Sequence, residues 1–196
     1  RRRALLAQMH AHAGGGLAIV PTAPEYARNR DSLYPYRYDS YFHYVSGFPE
    51  PEAVVALVAG KDGPESDRHL LFCRDKNAER EIWDGYRLGP DAAPSVLGVD
   101  TAASIDELDA QMPQLLENKG AVWYPFGIHQ GLEARIAGWL QKVRSRVRYG
   151  ALCPEQQLDL CTVLDEMRLV KDTHELDIMR RASQISARAH VRAMKM

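Results

Sequence analysis

Residues Tyr34–Ala53 read YPYRYDSYFHYVSGFPEPEA and gather five of the nine tyrosines and two of the four phenylalanines of a 196-residue chain. Tyr34, Tyr36 and Tyr38 alternate, which predicts an extended segment with the three rings on one side. From Asp39 the spacing changes. Asp39 or Ser40 can cap a short helical turn in which Tyr41 and Tyr44, and Phe42 and Val45, stand three residues apart, and Gly47 supplies a left-handed residue to end it. Phe48-Pro-Glu-Pro then leads into an apolar run. Phe42 and Val45 are expected to seal a sheet edge, while the tyrosines, with Arg30, Asp31 and Arg37 among them, suit a partly wet surface.

Outward from this corner, strand and helix signals alternate. Gly16–Thr22, Ala53–Ala59, His69–Arg74, Ala121–Pro125 and Arg146–Tyr149 are short β-rich runs bounded by Gly, Pro or Asp. Ser104 to Glu107 has the pattern of a capping box before a helix carrying Leu108, Met112 and Leu115. Leu132, Ile136, Trp139, Leu140 and Val143 mark a second helix. Early strands joined by short turns and later ones joined by helices predict an α/β fold, a mixed β-sheet flanked by helices.

Composition narrows the function classes. The chain is 45% hydrophobic and 26% charged with a formal net charge of -1, which offers no electrostatic footprint for nucleic acid or an anionic membrane. No apolar run approaches a membrane span. Cys73, Cys153 and Cys161 lack C-x-x-C spacing and read as reduced thiols, so a cytoplasmic location is expected.

The sequence reads as cut at both ends. Arg1-Arg-Arg opens directly into an amphipathic pattern. Asp172 and Glu175 form a capping box for a helix that runs to Met196 with apolar residues on much of one side, so a partner domain beyond it is expected.

Local chemistry is sparse. His10 and His12 are two residues apart and point to different sides of a helix, which disfavours shared ligation. Asp165, Glu166, Asp172 and Glu175 are explained by capping and solvated faces. Gly14-Gly-Gly lacks the lysine and hydroxyl residue of a phosphate loop. A nuclease reading would need an acidic cluster at strand ends, for which Asp75 and Asp100 are the only candidates.

The motifs Tyr34-Pro-Tyr-Arg, Asp39-Ser-x-Phe-x-Tyr-x-x-Gly-Phe-x-Glu-Pro-Glu-Ala, Glu81-Ile-Trp-Asp-Gly-Tyr-Arg-Leu-Gly-Pro, Met167-Arg-Leu-Val-Lys and Ala189-His-x-Arg-Ala-Met follow one another in an order that resembles bacterial Xaa-Pro aminopeptidases (aminopeptidase P). The resemblance spans essentially the whole chain. It implies a ribonuclease-H-like N-terminal domain over residues 1–166, followed at 167–196 by the first helix of a truncated pita-bread domain shared with prolidase and creatinase.

The implied parent is a metallopeptidase that releases the N-terminal residue before proline, using two divalent metal ions, commonly Mn²⁺. The implied cage of two aspartates, one histidine and two glutamates belongs to the C-terminal domain, so no catalytic residue or metal ligand is expected here and the fragment alone is expected to be inactive. Its implied share is to build homo-oligomer contacts and the mouth of the active site. Trp83, Asp31 and Arg148 are the candidates for that mouth. Arg148 is also expected on a strand face with Lys142, Arg144 and Arg146. A prolidase acting on Xaa-Pro dipeptides and a non-catalytic assembly module of the same family are the alternatives.

Overall fold

The computed structural model describes residues 1–195. Helix α1, Arg2–Ala13, buries Leu5, Leu6 and Met9 and ends where Gly14 turns left-handed at φ 63°. Strands β1 (Gly16–Pro21), β2 (Val54–Ala59), β3 (Arg68–Cys73), β4 (Thr101–Ser104), β5 (Ala121–Tyr124) and β6 (Gln156–Asp159) form one sheet in the order β4-β3-β2-β1-β5-β6. Pairing is antiparallel for β1–β2 and β2–β3, and parallel for β1–β5, β3–β4 and β5–β6. Strand β2 therefore runs against the other five. It is buried at every position, as a central strand covered on both faces must be.

Alternate residues of these strands feed two layers. Leu17, Ile19, Ala56 and Val122 meet Met112 of α5 (Leu108–Leu116) and Ile136 of α6 (Leu132–Arg144) in one core cluster. On the other face lie α1 and the short α2 (Ser40–Ser46), both packed on β1 and β2. Helix α2 forms as its sequence dictates. Asp39 accepts the Phe42 N–H at 2.9 Å, Gly47 closes the turn at φ 68°, and Phe42, Val45 and Phe48 are buried.

Two glycines in the Gly14–Gly16 run are demanded by packing. Gly15 and Gly16 have φ 112° and 131°, and a Cβ at Gly16 would collide with the Ala121 carbonyl of the neighbouring strand.

The expectation of a strand over Arg146–Tyr149 is corrected. Helix α6 holds Lys142 and Arg144, and Val147–Tyr149 forms a single 3-10 turn, with Arg146 N–H bonded to Val143 O. Lys142, Arg144, Arg146 and Arg148 thus share no strand face. Strand β6 lies further on in GlnGlnLeuAsp, and β4 in ThrAlaAlaSer, two edges with little β-branched content to announce them. Ser104 caps a 3-10 turn, Ile105–Glu107, rather than α5 itself, and the Glu107 carboxylate accepts from Gln111 instead of completing a box. Tyr36 and Tyr38 are half-buried, but Tyr34 is 56% exposed, so the three rings do not share one buried side.

The chain divides into two units, Arg1–Val163 and a second beginning at Leu164. Helix α7, Leu160–Leu169, leads into the second, which carries α8, Thr173–Met194. Asp172 and Glu175 form a reciprocal capping box there: Asp172 accepts the Glu175 N–H at 2.8 Å and its own N–H donates to Glu175 at 2.9 Å. Ile178, Met179, Ile185, Val191 and Met194 on α8 are exposed.

Candidate functional site

With five strands parallel, the segments that follow β1, β3, β4 and β5 all leave one edge of the sheet, the carboxyl edge where open α/β sheets place their sites. Asp31 lies in the exposed loop between β1 and α2, and Trp83 in the excursion after β3. Arg148 does not join them. Its 3-10 turn leads into β6 and is tied through Leu152 to Asn118, which precedes β5, so it sits at the opposite edge.

The loop that carries Asp31 is anchored by its aromatic end. Thr22 and Tyr36 hydroxyls are 2.6 Å apart, Tyr36 also donates to Ala23 O at 3.2 Å, and burial pushes the Tyr36 hydroxyl pKa up. Tyr38 stacks on His43 with centroids 3.9 Å apart, and Arg37 lies over the Tyr38 ring. Burial, together with Arg37 and Arg1, lowers the His43 pKa and keeps that ring neutral at pH 7. His129, in the loop after β5, is lowered by burial too, with Asp39 and Glu133 opposing.

The excursion after β3 is built differently. Helix α3, Ala78–Asp84, is capped by Asn77, which accepts the Arg80 N–H at 3.0 Å. None of its residues is buried, and Ile82, Trp83 and the following Tyr86 are 78%, 84% and 69% exposed. Its neck is cross-linked. Lys76 donates to Glu81 at 3.1 Å and to Arg87 O at 3.0 Å, Glu81 accepts the Arg87 N–H, and Lys76 also lies over the Tyr86 ring. The Lys76 hydrogen bond holds the Glu81 carboxyl below its ordinary range.

Sequence reading passed over the carboxylate beneath this neck. Glu50, between Pro49 and Pro51, accepts the Leu88 N–H at 2.7 Å and lies 3.7 Å from the Arg74 guanidinium, with both side chains about nine-tenths buried. The doubled proline was the available signal. It locks the chain around Glu50 and implies that this side chain is aimed.

No trio of His, Cys, Asp or Glu side chains able to hold a metal ion occurs among the described residues. His10 is occupied by Asp67 at 2.9 Å and His12 by Gln8 O at 3.1 Å. Asp75 accepts from Ser104 and Asp100 from the His69 N–H, at opposite ends of β3. These residues do not fit the two-metal cage that the resemblance implies, nor a nuclease cluster.

Fold and edge together define an α/β domain that carries exposed aromatic and apolar side chains at the carboxyl edge of its sheet. The family described as "Aminopeptidase P, N-terminal domain" matches residues 1–123, and the chain belongs to it. It is 40% identical to the Xaa-Pro aminopeptidase of Escherichia coli and 33% to that of Haemophilus influenzae, over 100% of the chain in each case but 43% and 41% of the relative. The aminopeptidase PepP structure of Pseudomonas aeruginosa superposes with a TM-score of 0.92 at 42% identity, covering 100% of this chain and 43% of that one. Zinc-substituted E. coli aminopeptidase P in complex with product gives 0.91 at 40% identity. The chain thus spans about two fifths of the length of the curated relatives it matches.

Proposed function

We propose that this chain is the N-terminal portion of a metal-dependent aminopeptidase that releases the residue preceding proline from Xaa-Pro peptides. The observation that carries the reading is the whole-chain similarity to Xaa-Pro aminopeptidases, combined with a tryptophan 84% exposed on a cross-linked neck. A large ring held out into solvent on a rigid support is the form of an interface anchor. In this reading Trp83 and Asp31 line the mouth of an active site formed between copies of a homo-oligomer. Arg148, at the other edge, serves a separate subunit contact.

Residues 1–166 form the N-terminal domain and 167–196 begin the catalytic one. The two metal ions, Mn²⁺ in the cell, and every ligand to them belong to the parent beyond these residues. The metals activate the water that attacks the peptide bond; this chain's share is to shape the mouth, and the location is cytoplasmic. Alone, the chain is inactive.

Hydrolysis of an Xaa-Pro-Xaa peptide with added Mn²⁺, by this chain and by its full-length parent, tests this. Turnover by the parent alone is expected. Activity of the short chain, or inactivity of both, would overturn the proposal.

A further inference from the structure

Glu50 touches both stems of the excursion that carries Trp83. Arg74, at the end of β3, is where the chain leaves the sheet, and Leu88 is where it returns; one carboxylate engages both. The engagement is preset. Pro49 and Pro51 fix φ on either side of Glu50, Pro51 is buried, and Glu52 takes a left-handed φ of 53°, a conformation that β-carbon sterics disfavour and that the surrounding packing must hold. Above this point, Lys76, Glu81 and Arg87 close the neck, and Gly89 lies against the Lys76 backbone, where a Cβ would come within 3.4 Å of its nitrogen.

We propose that Glu50 is a positioning residue: by clamping Arg74 and Leu88 together it sets the direction in which α3 presents Trp83. The inference rests on the reading of Trp83 as part of the active-site mouth. Three observations distinguish the clamp from ordinary core packing. Among the described residues, the polar contacts of Glu50 fall on the two stems: a hydrogen bond from the Leu88 N–H to one oxygen, and an ion pair at 3.7 Å between the other oxygen, which is buried and takes no hydrogen bond, and the Arg74 guanidinium. The element it supports buries nothing of its own, so packing cannot orient α3. A buried carboxylate is costly unless it is paired, and a leucine or methionine would fill the same space without that cost.

Two measurements test it. In this chain, amide hydrogen exchange is compared for wild type, Glu50→Ala and the milder Glu50→Gln, which keeps an acceptor for Leu88 and removes the charge facing Arg74. Exchange at Leu88 and through residues 75–87 should quicken about tenfold or more in Glu50→Ala, and less in Glu50→Gln, with α5 and α6 unchanged. Unchanged exchange at the neck, or an equal rise throughout the domain, overturns the clamp.

In the full-length parent, Glu50→Ala should raise KM for an Xaa-Pro-Xaa peptide with kcat within about twofold, and should add nothing in a Trp83→Ala background. Additive losses overturn action through Trp83. A silent Trp83→Ala overturns instead the reading beneath the inference, and the exchange result tells the two failures apart.

Discussion

Asp109 on α5 accepts the indole N–H of Trp139 on α6 at 2.7 Å, and the same oxygen takes the Arg135 guanidinium at 3.0 Å. One carboxylate thereby registers the two helices that cover a face of the sheet. Trp139 is 2% exposed, so its N–H has little alternative to this partner.

Partial burial pushes the Asp109 carboxyl up, but the bonds from Trp139 and Arg135 outweigh it and the pKa falls below the ordinary range. A lowered folded-state pKa adds stability that is present above about pH 4 and is lost as pH falls through the folded value. Asp109→Ala should cost about 1–2 kcal/mol at pH 7, discounted for the solvent around the carboxylate. Urea unfolding at pH 7 and pH 3 should show the gap between wild type and mutant shrinking in acid.

Gly16→Ala should be far more damaging than its single methyl suggests. The new Cβ meets the Ala121 carbonyl at the parallel β1–β5 pairing, and φ 131° is a region L-residues avoid. A loss of about 3 kcal/mol or more is expected from strain and displaced pairing. Gly14→Ala, with open space around its Cβ, should cost about 1 kcal/mol from the left-handed φ alone. Thermal melts of the two variants should rank them in that order.

Burial, with Glu50 and Asp75 nearby, pushes the Cys73 thiol up to about 12. It should therefore resist alkylation in the native protein at pH 8, whereas half-buried Cys153 and Cys161 react first. Mass mapping after iodoacetamide treatment should find Cys73 labelled only once the chain is unfolded.

Asp172→Ala removes one half of the capping box on α8 and should destabilise that helix by about 1 kcal/mol. Glu175→Ala should cost less, because the N–H it releases in the box belongs to exposed Asp172, just before the helix, and is reached by water. Helicity followed by circular dichroism through the melt should separate the two.

Legibility in the sequence followed the locality of the physics. Asp39, Phe42 and Gly47 specify α2 within nine residues of one another, and the apolar run of β2 could only be a central strand. Edge strands were harder. ThrAlaAlaSer and GlnGlnLeuAsp become strands because β3 and β5 offer them a ladder, a fact about neighbours rather than about their own residues. Arg146–Tyr149 misled for the converse reason: Val147 and Tyr149 have strand propensity, but both are exposed and no neighbouring strand was there to pair. At the site, Trp83 could be read as exposed from its charged flanks. The contact from Glu50 to Leu88, 38 residues away, could not. Nor could the separation of Arg148 from Trp83, which follows from strand direction alone.

The one reversed strand also bears on how the chain finds its structure. Strands β1, β2 and β3 are consecutive and antiparallel, so β2 meets β3 across a short connection and β1 across the segment that holds α2, whereas β5 must travel past β2, β3 and β4 to reach β1. Loop-closure entropy favours the meander as an early template and leaves the β1–β5 junction to form late. Pulsed hydrogen-exchange labelling during refolding should protect Ala56 before Val122. A nascent chain emerging from the ribosome would hold its first stable scaffold once β3 is out, well before the helices that complete the core.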